Sequence, residues 1–223
     1  SVLDVSLDED SSRLDFAAVL AKAEQYVGTQ GGGMDQAIIL NGGEGQVSKI
    51  NFFPLRLESL PMPGGYRFVV SHTGVTADKS GACRDAYNAG PRYSRLICAL
   101  VKKHLQQEFG EDFMLPNLGE LWFGPLCLTY DETRLYCEAA VPDDFMHLNT
   151  VAMLLELSPE QVIENYLGDG AVPEEGFPLQ ARMRHILSEY KRVEMARDAL
   201  LSEDMVLFGR LMYDSHASCA RDF

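Results

Sequence analysis

Residues 23 to 36 read Ala23-Glu24-Gln25-Tyr26-Val27-Gly28-Thr29-Gln30-Gly31-Gly32-Gly33-Met34-Asp35-Gln36. Three glycines in a row give up regular structure at low cost and let a backbone approach a neighbour closely. Upstream, Leu14, Ala17, Ala18 and Ala21 recur at helical spacing, with Phe16, Leu20 and Ala23 beside them. That spacing predicts a helix from Leu14 to Val27, stopped by Gly28. The acidic stretch from Leu7 to Arg13 reads as a loop, and Ser12 with Asp15 has the pattern of a capping box. Downstream, Met34 to Leu40 predicts a short apolar helix. The glycine run therefore joins two helices and delivers Asp35 to the start of the second. Free N–H groups at a helix start favour anionic or hydroxyl-rich ligands, and a carboxylate beside a ligand hydroxyl can accept its proton. The same residues also suit a plain glycine turn with Asp35 capping a helix, and the run alone leaves both open. It is neither the G-x-x-x-x-G-K-[ST] phosphate loop nor a dinucleotide fingerprint.

Working outward, Gln46 to Phe53 alternates as a strand does, with Val47, Ile50 and Phe52 apolar. Pro61-Met62-Pro63-Gly64-Gly65 is a turn, and Tyr66 to Ser71 predicts a second strand. Arg84 to Phe109 predicts a long helix that Gly90-Pro91 would kink or split. Residues 110 to 146 carry no clear period. Leu148 to Leu157 predicts a helix. Ser158-Pro159-Glu160 is a good helix start, with a capping serine and proline in the first turn. Helices over Pro178 to Leu200 and Ser202 to Asp214 follow. The fold class is α+β: the N-terminal part is mixed α/β and the last third is mostly helical. No repeat, coiled coil or low-complexity tract is present.

The chain has 223 residues, 19 basic and 33 acidic, and a net charge of −14. That balance argues against broad contact with nucleic-acid phosphates or an anionic membrane. The first ten residues have neither the basic nor the apolar stretch of a signal peptide. Their lack of an initiator methionine leads us to expect a piece of a longer protein. Five cysteines, an odd number with no C-x-x-C pair, suit reduced thiols in a cytoplasmic protein rather than a disulfide framework or a zinc site. No His, Cys and Asp cluster has metal-ligand spacing, so no protein metal site is expected.

The segment from Ala23 to Gln36 resembles the "VG-x-x-GGGMDQ" stretch of galactokinases and N-acetylgalactosamine kinases, members of the GHMP small-molecule kinases. Further segments are similar in order. Lys49 to Arg56 resembles the family strand ending in "F-x-P-x-R", and Phe68 to His72 resembles the next strand. Lys79 with Tyr87-Asn88 is similar to the "K…YN-x-R" region. Leu157-Ser158-Pro159-Glu160 resembles the helical insertion. Phe208 to Met212 with Ser215-His216-Ala217-Ser218 resembles "FG-x-LM-x-x-SH-x-S".

The resemblance implies a two-lobed GHMP architecture. Residues 1–75 would end the N-terminal lobe that carries the catalytic aspartate. Residues 76–223 would begin the C-terminal lobe with its helical insertion. It also implies that Asp35 is the catalytic acid, that Gly32, Gly33 and Tyr87 face the sugar, and that Lys79 lies near the transferring phosphates. His72, His185 and His216 are expected to be structural. ATP with Mg²⁺ would be the phosphoryl donor, and galactose or a related sugar the acceptor at its anomeric hydroxyl. Which sugar is taken, and the oligomeric state, are not legible.

Four departures accompany the likeness. The "GRVNLIGEH-x-D" segment, the "G-x-G-x-SSS" phosphate loop and the "GAG" strand are absent from these 223 residues, so the chain by itself is expected to be inactive. Where the family has Arg and then Glu after Tyr-Asn, this chain has Gly90 and Tyr93. Those two residues keep a rival open, a non-catalytic sugar and ATP sensor that acts through protein partners.

Overall fold

The computed structural model describes residues 10–28, 30–75 and 83–222. The chain divides into two compact units, one of Ser1–Tyr87 with Val193–Leu211, the other of Asn88–Arg192 with Met212–Phe223. Together they form a mixed α+β structure with one small sheet.

In the first unit, helix α1 spans Asp10–Glu24 and closes with a 3-10 turn, Gln25–Val27. Gly28 ends it at φ +92°, a value that a residue with a Cβ adopts only with strain. Helix α2 spans Met34–Asn41. Of the loop expected over 7 to 13, residues 7–9 lie outside the described residues and 10–13 are helical. Ser12 is therefore inside α1 and not its cap. An antiparallel hairpin follows, β1 Gln46–Phe52 and β2 Leu55–Pro61, with Gln46 opposite Pro61 and Phe52 opposite Leu55. Its second strand was not among the expected elements, although Leu55-Arg56-Leu57-Glu58 alternates apolar and polar residues. Lys49 of β1 pairs with Glu194, and Glu58 of β2 accepts from Arg197 Nε at 2.8 Å, which ties the hairpin to one helix within this unit.

The strand expected over Tyr66 to Ser71 is not formed. Those residues run irregularly and exposed, with Val70 at 93%. A β-signal needs a neighbouring edge to bond. The one sheet among the described residues is the β1–β2 pair, and the 66–71 run is not part of it.

Helix α3 spans Arg84–Phe109 without a break, Pro91 included. The expected split is absent. Proline has no N–H for the carbonyl four residues back and its ring crowds that carbonyl, yet the helix runs on through it. Ser94 Oγ bonds the Gly90 carbonyl at 2.9 Å, beside the proline.

The second unit is built on the apolar face of α3. Leu96, Ile97, Leu100, Val101 and Leu105 follow helical spacing and are buried with Leu121, Cys137, Val151, Val162, Phe177 and Met183. The stretch without clear period contains α4, Glu120–Phe123, and α5, Tyr130–Ala140, which opens on a Thr129–Glu132 capping box. Helix α6 spans Leu148–Leu155. Helix α7, Pro159–Val162, starts at Ser158 as expected and adds a capping box with Gln161. Helices α8, Leu179–Leu201, and α9, Met205–Asp222, complete the chain. All five cysteines are free thiols. Burial pushes Cys98 up to about 11 and Cys137 up to about 12, which keeps both protonated and unreactive. Among the described residues, no helix is long and apolar enough to cross a membrane.

Candidate functional site

The glycine run is held by α1, by α2 and by the first turn of α3. Gly33 precedes α2 at φ +82°. A Cβ there would lie 2.7 Å from the Ala21 Cβ of α1, so both the backbone angle and the helix–helix approach require glycine. The Gly33 carbonyl accepts from Ala37 N at 3.1 Å and starts the helix. Gly32 differs, because a Cβ there meets nothing within 4 Å. Packing among the described residues leaves that position open.

Asp35 is the second residue of α2 and is exposed. It stands where the first N–H groups of a helix have no intrahelical partner. A carboxylate at this place is favoured by the helix dipole and reachable by a ligand.

Glu24 is a second carboxylate at the loop. It accepts from Gln36 Nε2 at 2.7 Å, and its Oε2 lies 3.3 Å from the Cβ position of Gly31. One bond thus joins the end of α1 to the first turn of α2 across the glycine run. The signal for Glu24 lay within the quoted segment, an acid one turn before the helix-ending glycine.

Arg84 brings the start of α3 to the same loop. Its Cδ and Nη1 lie 3.5 Å from the Cβ position of Gly28. Tyr87 sits three residues later, hence on the same helical face, and is 37% exposed. Of the expected site residues, then, Gly32, Gly33 and Asp35 lie together at the start of α2, and Tyr87 belongs to the turn that Arg84 anchors nearby. Lys79 lies outside the described residues.

The departures at 90 and 93 are both packed in the second unit. Arg182 reaches into the space beside Gly90, with Nη2 3.1 Å from its Cβ position, and donates from Nε to Ser94 Oγ at 3.2 Å. Tyr93 packs edge-on against buried Phe177, 5.8 Å between ring centroids. In the Ser215-His216-Ala217-Ser218 segment the serines make the contacts. Ser215 donates to Glu189 at 2.9 Å and Ser218 meets His185 at 3.0 Å, while His216 is exposed.

The galactokinase of Dictyostelium discoideum is 26% identical over an alignment covering 94% of this chain and 45% of its own length. That of Actinobacillus pleuropneumoniae serotype 5b is 28% identical, covering 94% of the chain and 41% of its own length. The chain resembles galactokinases over nearly its whole length. A shorter galactokinase match, from Roseiflexus, is 35% identical over 42% of the chain. No family model matches. The chain spans less than half the length of the galactokinases it matches.

Proposed function

We propose that this chain is part of a sugar kinase of galactokinase type. It would transfer the γ-phosphoryl of MgATP to the anomeric hydroxyl of galactose or a close relative, within a two-lobed GHMP architecture. The observation that carries the proposal is the exposed Asp35 on the first turn of α2, two residues after a glycine that the backbone requires. Likeness to galactokinases along the chain supports it.

Phosphoryl transfer asks a protein for positioning and charge stabilisation more than for covalent chemistry. Asp35 would orient the sugar hydroxyl and take its proton as the O–P bond forms. Gly32, where no side chain of the described residues competes for space, would let the sugar approach the backbone. Gly33 holds the turn that aims Asp35, and Tyr87 would close one side of the pocket. Mg²⁺ neutralises charge on the phosphates and needs only one or two carboxylates beside them. Glu24, held in place by Gln36, fits that requirement. Lys79 would meet the phosphates.

The test is ADP release from MgATP by the full-length protein, offered galactose and N-acetylgalactosamine in turn. Release that depends on one sugar supports the proposal and names the acceptor. A folded protein that binds ATP and releases no ADP with either would favour the non-catalytic sensor.

A further inference from the structure

We propose that the contact between His185 and Ser218 is an acid-sensitive clasp: it holds the C-terminal half of α9 on α8 while the imidazole is neutral and loosens when the ring takes up a proton. Both residues belong to the second unit. His185 is 8% exposed and Ser218 1%, and Nδ1 of the ring lies 3.0 Å from Oγ of the serine. A hydroxyl can donate to a neutral imidazole nitrogen, but once both ring nitrogens carry protons neither can accept. Protonation therefore forces Ser218 to turn and accept from the new Nδ1–H, and puts a cation where little water reaches it.

Charged groups around the ring include Glu189, Arg182 and Arg192 from α8 and Asp222 from α9. Both carboxylates also bind other partners. Glu189 accepts from Arg192 and from Ser215, and Asp222 accepts from Arg184 and Arg221. The arginines oppose a further cation. Burial, foremost, holds the ring's proton affinity below that of an ordinary histidine; Glu189 and Asp222 offset part of this, and Arg182 and Arg192 add to it. The sign follows. The folded state prefers the neutral ring, so the contact is at full strength above the usual imidazole range of about 6.5. It weakens as the pH falls below that range. The Ser215–Glu189 bond lies on the same two helices and would open with it.

The test is amide hydrogen exchange in the full-length protein at pH 7.5 and pH 5, corrected for intrinsic rates. Opening of Met212–Asp222 is expected to rise about threefold or more at pH 5, with no such rise in Tyr130–Ala140. In His185→Gln, whose side chain stays neutral, the rise should vanish. An equal rise in both segments, or an undiminished rise in His185→Gln, would overturn the proposal. Should His185→Gln not fold, the ring of the unaltered protein can be titrated by NMR. A midpoint below about 6.5 supports the clasp, and one at or above that value overturns it.

Discussion

Arg182 and Gly90 share one volume. The guanidinium of Arg182 lies 3.1 Å from the point where a side chain at position 90 would begin, and it is fixed there by Ser94. The galactokinase likeness implies an arginine at position 90, and the chain has none. A guanidinium nonetheless occupies the neighbourhood, reaching α3 from α8. Glycine at this position therefore goes with a filled space, not a vacant one.

That packing predicts a contrast between two glycines. Gly90→Ala gains about 0.5–1 kcal/mol of helix propensity, which is offset by the crowding a Cβ meets in a helical residue before proline and by the shift asked of the guanidinium that Ser94 holds. It should leave stability within about 1 kcal/mol of the parent. A Cβ on Gly170 would lie 2.5 Å from the guanidinium of Arg92, which is buried and paired with Asp169. Gly170→Ala should cost about 1–3 kcal/mol through overpacking. Urea unfolding of both variants checks the order.

At the candidate site, Gly33→Ala should be the destabilising change and Gly32→Ala the functional one. Gly33 has positive φ and no room against Ala21, which costs about 1–3 kcal/mol. Gly32 has open space, so its alanine variant should melt within about 1 °C of the parent, in keeping with a surface change of under ~0.5 kcal/mol. Its KM for sugar should nevertheless rise. Thermal melts and steady-state kinetics on one pair of variants separate the two effects.

Much of this arrangement was legible in the sequence. The glycine run, α2, β1 and the Ser158 helix start follow from local chemistry, and each stands within a residue or two of its expected bounds. Most misses turn on packing that the local pattern does not show. Tyr66 to Ser71 has strand composition but joins no sheet. Pro91 should have broken α3, yet the apolar stripe from Leu96 to Leu105 carries the helix. Strand β2 carries a local signal of its own, the alternation from Leu55 to Glu58, and pairs with the neighbouring β1. Glu24 and Arg84 gained meaning only once α1 and α3 were seen to meet the glycine loop.

Asp222 predicts an acid limb. Its side chain is 1% exposed and accepts from Arg221 at 2.6 Å and Arg184 at 3.2 Å. Hydrogen bonding to Arg221, foremost, holds the carboxyl below its usual range; burial opposes the shift and Arg184 adds to it. A depressed carboxylate stabilises the fold above the usual value of about 3.9, and that stability is lost as the pH falls through the lower folded value. Asp222→Asn should therefore be less stable than the parent at pH 7, with the difference shrinking as the pH drops below about 4. Denaturant midpoints across that range measure it.

The most direct test of the proposed chemistry is the turnover of Asp35→Asn in the full-length protein with MgATP and its preferred sugar. The exposed position of Asp35 makes a folding defect unexpected, and circular dichroism and ATP binding should match the parent. If Asp35 takes or orients the hydroxyl proton, kcat should fall by about 10²–10⁴-fold. Turnover equal to that of the parent, in a folded variant, would contradict the assignment of Asp35 and with it the proposed site.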